Sequence, residues 1–548
     1  MSAHPSRPDG SPASPFEPPS APLEQLIAQR QDKLKRLREQ GVDPYPYHFE
    51  RSHTLQEIHE QFRTLTGDTP HETGPTLKTA GRLLTLRDMG KSCFAHLADG
   101  ADRLQIYVKK DVVGEENYKL FQKDTDLGDF IGVDGTMFRT KTDELTLRVT
   151  QVTLLAKSLR PLPEKWHGLK DVETRYRQRE LDLATNPDIQ KLFRQRSTLI
   201  ASLRQTLYRQ GFLEVETPLL QAQAGGAAAR PFQTFHNALE TSLYMRIAPE
   251  LYLKRLLVGG MDRVFEIGRV FRNEGIDTKH NPEFTILEAY QAYADYHDMM
   301  ALSETLISEA ALACNGSHSL MIHDKPLSVA PPFARASMGD LFRKYTGEDV
   351  IAAWQQGRLR DAARSMHLAA EEKTPDHKVF DRIFDAKVKP HLWEPTFVMD
   401  YPIEISPLAK KHRSQAGLVE RFELFIAGDE VANAYSELND PVDQRARMQK
   451  QAALKKTGLT ITMCGWVPRI FSWISVRNPS MTARVTNSAA TPSAVPPMAI
   501  LVVTMRKTPK RCPARKRFAR KNSNLMGLLV YYVSGRRSGN RMTSRIDV

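Results

Sequence analysis

The apolar positions along the chain change period several times, and each change marks an element. Leu23, Leu26, Ile27, Leu34 and Leu37 fall on one helical face, and Gly41 closes the run. The prolines of "VDPYPY" stop it. Ahead of it, "MSAHPSRPDGSPASPFEPPSAP" has no apolar core and too much Pro and Ser to fold. From 76 to 156 the period shortens. "GRLLTLRDMGKSCFAHLADGADRLQIYVKK" and "GDFIGVDGTMFRTKTDELTLRVTQVTLLAK" read as short strands between Gly/Asp turns, about five of them, which predicts a small barrel. A stretch marked first by prolines and then by charge (158–183) follows and is expected to turn helical. From 188 the pattern is α+β. A long helix (188–210) leads into "GFLEVETPLL", then come the strand-like "RVFEIGRVFRNE" and "PEFTILEAYQAY". Helical segments cover 295–385. The strands "TFVMDYPIEISPLA" and "ERFELFIAGDEVANAYSEL" and a basic helix, "DPVDQRARMQKQAALKKTG", come next. No internal repeat is present.

A chain of 548 residues, 41% apolar and 26% charged, exceeds one compact core and predicts two to four domains of a soluble protein. The four cysteines lie far apart and form no C-x-x-C pair, which argues against a zinc site or a disulfide framework and fits a reducing compartment. The net charge of +13 first suggests a nucleic-acid partner, but residues 457–548 hold 16 Lys+Arg and one acid, Asp547, for +15. The preceding 456 residues therefore carry 13 − 15 = −2, so the charge is no evidence of a basic face on the main body. No secretory signal is read at the start, and the longest apolar run, 525–533, is too short to span a bilayer.

Candidate chemistry concentrates in "FRNEGIDTKHNPEFTILEAY" (271–290), which reads as a β-hairpin. Residues two apart on a strand share a face, so Phe284, Ile286, Glu288 and Tyr290 line one side, with Arg272 and Glu274 at the end of the opposing strand. A solvated face would not be half aromatic and aliphatic. The set suits a nucleoside triphosphate: a guanidinium for phosphate oxygens and a ring for a purine. In "EVANAYSEL", Asn433, Tyr435 and Glu437 alternate in the same way. Glu288 and Glu437 on half-buried strands repel unless a cation lies between them. That cation is either a substrate ammonium, bounded by Tyr290 or Tyr435, or a structural Lys or Arg. "GGAAARPF" (225–232) lets backbone approach a ligand, or is an ordinary loop. Glu250 follows a proline at a helix start, placed for an α-amino group or as a helix-terminal charge. Glu423 and Glu430 are candidate Mg²⁺ carboxylates.

Together, "GFLEVETP", "RIAPELYLKRLLVGGMDRVFEIGRVFRNEG", "HNPEFTILEAY", "PIEISPLAK" and "ANAYSELNDP" resemble the bacterial-type class II lysyl-tRNA synthetases, over about residues 23–456. The first resembles the class II dimer motif ending in Pro218, and the next two its ATP-binding motif. An aspartate-specific relative would need basic residues around its substrate, and Glu288 and Glu437 have the wrong sign. The resemblance implies an α+β fold: an antiparallel class II catalytic sheet flanked by helices, preceded by an all-β OB-fold barrel. Composition makes 1–21 a disordered tail, and the resemblance implies a helical extension (22–75), an OB-fold anticodon-binding domain (76–157), a linker (158–187) and an incomplete catalytic domain (188–456). It implies ATP contacts at Arg272, Glu274, His280 and Phe284, with Arg272 and Glu274 catalytic. Lysine contacts are implied at Gly226, Glu250, Glu288, Tyr290, Asn433, Tyr435 and Glu437, where the family often has Phe at the position of Tyr435. Anticodon contacts are implied at Arg87, Phe94, Gln105 and Glu144, and Mg²⁺ ligands at Glu423 and Glu430. Phe94 would stack on a base and Gln105 read a base edge, although spacing alone also allows Phe94 to be barrel core. Expected substrates are ATP, L-lysine and lysine tRNA. The expected assembly is a homodimer, in the cytoplasm and off the membrane.

The resemblance breaks near residue 457. Class II synthetases carry a third motif, a strand–helix of the form G-x-G-x-G-x-D-R, whose Arg contacts the ATP γ-phosphate. After "QAALKKTG" this chain has none, and "GGMDR" (259–263) belongs to the second motif. The stretch 457–548, with Asp547 its one acid, starts at the same place. It reads either as a disordered basic tail or, preferred here, as translation out of the original frame, with no sustained helical or strand period. The expected function is a lysine–tRNA ligase impaired by that loss. The alternative is a non-catalytic tRNA-binding or defective product that keeps the barrel.

Overall fold

The computed structural model describes residues 20–66, 76–100, 102–163, 171–227, 229–276, 280–456 and 498–504. Contacts divide the chain into two units, 1–193 and 194–548. The expected tail upstream of residue 20 lies outside the described residues.

In the first unit, helix α1 (Ser20–Glu39) ends before Gly41, as its apolar spacing predicts. α2 (Leu55–Gln61) starts on a capping box, with the Thr54 hydroxyl accepting from Glu57 N and the Glu57 carboxylate accepting from Thr54 N. Strands β1 (Leu77–Asp88), β2 (Ser92–Asp99), β3 (Asp102–Lys109), β4 (Phe130–Arg139) and β5 (Leu145–Ala156) close into a barrel of order β1-β2-β3-β5-β4. Alternation decides what fills it: Cys93, Ala95 and Leu97 of β2 and Leu104, Ile106 and Val108 of β3 are fully buried, while the residues between them face outward. Leu37, Leu55 and Ile58 join that core. α1 is also tied down by polar contacts. Arg30 donates to the Ser158 and Leu127 carbonyls, and Lys33 pairs with Asp126 at 2.8 Å. The buried Lys157 ammonium is satisfied by Asp129 at 2.8 Å and by Asp126. Short helices α3 (Lys110–Val113), α4 (Glu115–Lys119), α5 (Val172–Arg177) and α6 (Arg179–Thr185) complete the unit, the last two within the expected linker.

α7 (Pro187–Arg209), most of it in the second unit, buries Leu199, Leu203 and Leu207 along one face. The sheet contains β6 (Leu213–Glu214), β10 (Arg263–Phe271), β11 (Glu283–Ala292), β14 (Ala334–Ser337), β15 (Thr396–Pro402), β16 (Leu418–Ile426), β17 (Asp429–Ser436) and β18 (Met498–Thr504), in the order β14-β15-β16-β17-β18-β11-β10-β6. Only the two outermost pairings, β14–β15 and β10–β6, are parallel. β7 (Leu220–Gln221), β8 (Gln233–His236) and β9 (Thr241–Met245) form a small separate sheet, and β12 (Ser319–Ile322) pairs with β13 (Lys325–Ser328). α8 (Glu250–Val258) packs Leu253 and Leu257 against Val264, Tyr290 and Ala292. α9 (Tyr296–Asn315) starts on Asp295 and stops at Gly316, and runs beside β16, β17 and β18. α10 (Met338–Thr346), α11 (Val350–Gln355), α12 (Leu359–Ser365) and α13 (Asp376–Ile383) share an apolar cluster with β15 and β16. α14 (Pro441–Lys456) is the expected basic helix.

β18 departs from expectation. The stretch 457–548 was expected to carry no regular structure, yet residues 498–504 pair antiparallel with both β11 and β17 at the centre of the sheet. The local sequence "MAILVVT" is apolar and β-branched. What a period search over the whole stretch misses is a single short strand whose partners lie far away in sequence. The rest of 457–548 lies outside the described residues. No helix among the described residues is long and apolar enough to cross a membrane.

Candidate functional site

The expected hairpin forms. β10 and β11 pair Val270 with Phe284, Gly268 with Ile286, Glu266 with Glu288 and Val264 with Tyr290. Glu288 and Tyr290 are fully buried and Phe284 is half-buried. Arg272 follows the end of β10, and its guanidinium lies 5.1 Å over the Phe284 ring. The phosphate-type and purine-type groups are thus adjacent. Glu274 and His280 are exposed, on the two sides of residues 277–279, which lie outside the described residues.

Three carboxylates from three segments converge beside this strand. Tyr290 donates to Glu288 at 2.8 Å, and Tyr435 of β17 donates to Glu250 at 3.3 Å. Glu250 opens α8, and Gly226 sits against it. Gly226 has φ +88°, which favours glycine, and an added Cβ would stand in tight contact, 3.0 Å from the Glu250 Cβ. Glu437 lies just past β17. Its partner is Lys254, which pairs with Glu437 at 2.6 Å and with Glu250 at 2.7 Å. A structural lysine thus meets one Glu437 oxygen. The second Glu437 carboxylate oxygen is buried with no hydrogen-bond partner.

The electrostatics follow from burial. Burial first, and then Glu250, push Glu288 up to about 8, against the pull of Tyr290, Arg272 and Arg246. Burial pushes Glu437 up to about 7 although Lys254 lowers it. Burial opposes the charge on Lys254, but Glu250 and Glu437 outweigh it and hold the ammonium above the ordinary lysine range.

Glu423 faces Asn433 across β16 and β17. Arg421 donates to Glu423 at 2.6 Å and to the Asn433 side-chain oxygen at 3.3 Å. Burial and then Glu430 raise the Glu423 pKa, with Arg421 opposing. Two mutually repelling carboxylates with one guanidinium, paired to Glu423, fit a site that gains from a further cation. No cluster of three or more potential metal-ligating side chains occurs among the described residues.

In the barrel, Phe94 is not core. It is half-exposed, and its ring stands 4.7 Å from that of Tyr107. Arg87, Phe94 and Tyr107 form one cross-strand row, and Thr85, His96, Gln105 and Thr146 form the next. Gln105 donates to Glu144 at 2.7 Å, and His96 bridges Thr85 at 2.7 Å and Glu144 at 3.0 Å. All four sequence-predicted residues are thus on one outward face.

The sequence reading missed several supports. Arg246 is fully buried, pairs with Glu266, and donates to the Arg269 carbonyl at 2.8 Å and the Thr217 hydroxyl at 3.1 Å. It lies against Gly268, where an added Cβ would come within 2.1 Å of the guanidinium. Counting back across the turn from Glu288 would have found Glu266, and the i, i+4 spacing from Glu250 would have found Lys254. Nothing local marks Arg246, Arg421 or His96.

The family model described as "tRNA synthetases class II (D, K and N)" matches residues 171–460, and "OB-fold nucleic acid binding domain" matches 77–155. A lysine–tRNA ligase of Moorella thermoacetica is 50% identical over 433 residues, 79% of this chain and 87% of its own. That of Carboxydothermus hydrogenoformans is 48% identical over 436 residues, 80% and 88% of the two chains. One from a Nostoc species is 46% identical over 443 residues, 79% of each. With a barrel that closes, a sheet that presents the ATP-motif hairpin and a match that spans both, the chain belongs to the lysine–tRNA ligase family of class II synthetases.

Proposed function

We propose that the buried trio Glu250, Glu288 and Glu437 binds the two amino groups of L-lysine, and that the Arg272–Phe284 end of the hairpin binds ATP beside it. The observation that carries this is the convergence of three acids with one internal cation, which leaves an acceptor unfilled at Glu437. Phe284 offers the adenine a platform, and Arg272 sets its charge on the α-phosphate. Glu250, with Gly226 against it, takes the α-ammonium; Glu288, Tyr290 and Glu437 take the side-chain ammonium, with Asn433 and Tyr435 beside them. A lysine carboxylate oxygen attacks the α-phosphorus, the new P–O bond forms, and the bond to pyrophosphate breaks. The acyl group then passes to a ribose hydroxyl at the tRNA end as the mixed-anhydride bond breaks and AMP leaves. The contribution of these residues is positioning and charge neutralisation. Glu423 and Glu430 would hold Mg²⁺, which supplies charge neutralisation on the phosphates when bound. Glu274 and His280, beside the hairpin turn, are assigned to ATP.

The outer barrel face, with Arg87, Phe94, Gln105 and Glu144, is assigned to the anticodon of lysine tRNA. The expected setting is the cytoplasm and the expected assembly a homodimer. The exposed Tyr208, Leu213, Leu219 and Leu220, close to the dimer-motif segment, support an apolar subunit contact.

The missing third motif favours a second reading, a tRNA-binding product with little or no catalysis. Lysine-dependent ATP–pyrophosphate exchange separates the two. Exchange above a lysine-free control supports the ligase reading, and anticodon binding without exchange supports the second.

A further inference from the structure

Lys254 is the internal cation of the amino-acid pocket. It approaches Glu250 at 2.7 Å and Glu437 at 2.6 Å, joining the first turn of α8 to the end of β17. All three side chains are nearly buried, and Glu437 is left with one buried oxygen without a partner. Tyr435 donates to the same Glu250 oxygen that Lys254 holds, so Glu250 is restrained from two elements. Other groups facing this cluster are Glu288 and Tyr290 of β11, with Arg246 and Arg272 acting on Glu288. Three carboxylates and one ammonium sum to −2 when all are ionised. That matches a ligand with two ammonium groups whose own carboxylate is turned to the reacting phosphate. Without Lys254 the three carboxylates would sum to −3, with Arg246 already paired to Glu266, and would protonate or spread apart.

We propose that Lys254 is a specificity-determining positioning residue: its ammonium clamps Glu250 to Glu437, fixes the spacing of the acceptors for the substrate's two amino groups, and leaves the free Glu437 oxygen to the side-chain ammonium. The clamp sets the depth of the pocket, so it discriminates lysine from a diamino acid with a shorter side chain. The proposal rests on the reading of Glu288 and Glu437 as the side-chain ammonium pocket.

The test is calorimetric titration of the full chain with lysine and with ornithine from pH 6 to 9, for Lys254→Met, Lys254→Arg and Glu288→Gln, with ATP titrated in parallel. Lys254→Met is expected to weaken lysine at least tenfold, narrow the lysine-to-ornithine ratio and leave ATP affinity within about twofold. Its lysine-binding profile is expected to move to higher pH, because removal of the cation makes the carboxylates harder to ionise. Lys254→Arg is expected to recover most of the affinity. Unchanged lysine affinity, ratio and pH profile in Lys254→Met would overturn the clamp. So would loss of ATP and lysine binding together in both Lys254 variants, which would make Lys254 a structural tie. If Glu288→Gln leaves lysine affinity unchanged, or the unsubstituted chain binds no lysine, the pocket reading itself falls. If Glu288→Gln weakens lysine and Lys254→Met does not, only the clamp falls.

Discussion

At the scale of the residue, Glu288 shows how burial turns a common side chain into a pH-dependent one. Its folded pKa, about 8, lies above the 4.5 of a free glutamate, so the folded state holds a proton the unfolded chain releases. Stability from this group is therefore complete below about pH 4.5 and is lost as pH rises through 8. A dicationic substrate favours the ionised form, so ligand binding runs the opposite way. Lysine affinity is expected to rise from pH 6 to pH 8.5, as Glu437 and then Glu288 ionise. Calorimetry across that range checks it, and a flat profile would contradict the assignment. Glu288→Gln should weaken lysine at pH 8 by roughly 10²-fold, as loss of a buried charge pair does, while sparing ATP. The same variant should unfold at a higher temperature than the parent at pH 8.5, because no charge is then buried there.

At the scale of the element, the barrel combines a closed sheet with a docked helix. Leu37, Leu55 and Ile58 fill its core from outside the strands, and Lys157 with Asp126 and Asp129 ties the last strand to the turn before β4. These contacts lie within residues 23–157, so that fragment is expected to melt cooperatively by circular dichroism. A broad, non-cooperative transition would show that the barrel depends on later segments. On its outer face, Phe94 beside Tyr107 is a stacking platform. Phe94→Ala is expected to weaken binding of a lysine-tRNA anticodon stem-loop by about 1–3 kcal/mol, the range for a base–aromatic stack. Because the ring is not in the core, the fragment's melting temperature should barely move.

At the scale of the whole molecule, the question is how the catalytic sheet is closed. β18 supplies β11 and β17 with a common partner across the gap between them. Without it, two rows of backbone hydrogen-bonding groups in the middle of the sheet would lose their ladder. Leu501→Pro, which removes a donor from that strand, is expected to lower the melting midpoint by about 5 °C or more. An unchanged midpoint would mean that β18 contributes little to stability. The strand supplies pairing but not the third-motif pattern G-x-G-x-G-x-D-R, which does not occur in the sequence. Loss of one preorganised charge at the reacting phosphates typically costs about 10²–10³ in rate. On the reading that residues 457–548 are out of frame, a chain with the frame restored after Lys456 is expected to raise lysine-dependent pyrophosphate exchange by at least that factor. Equal exchange in the two chains would show that the third motif is dispensable here.

The sequence by itself determined what rests on short-range order. Period-2 alternation places Leu104, Ile106 and Val108 inside the barrel and Gln105 outside. The same rule puts Phe284, Glu288 and Tyr290 on one face of the hairpin, and proline and glycine end α1. Only the tertiary structure decided which charges meet. Lys254 reads in sequence as one more base on an amphipathic helix, and its partner Glu437 lies far along the chain. Nothing in the local sequence marks Arg246, yet it is buried against Gly268 and Glu266. β18 is a short apolar run in an otherwise aperiodic stretch, and it becomes a strand because β11 and β17 leave a slot for one. The physical reason is common to all three. Periodicity reports which way a side chain points from its own element, whereas the pairing of buried charges and of sheet edges depends on what another element brings opposite it.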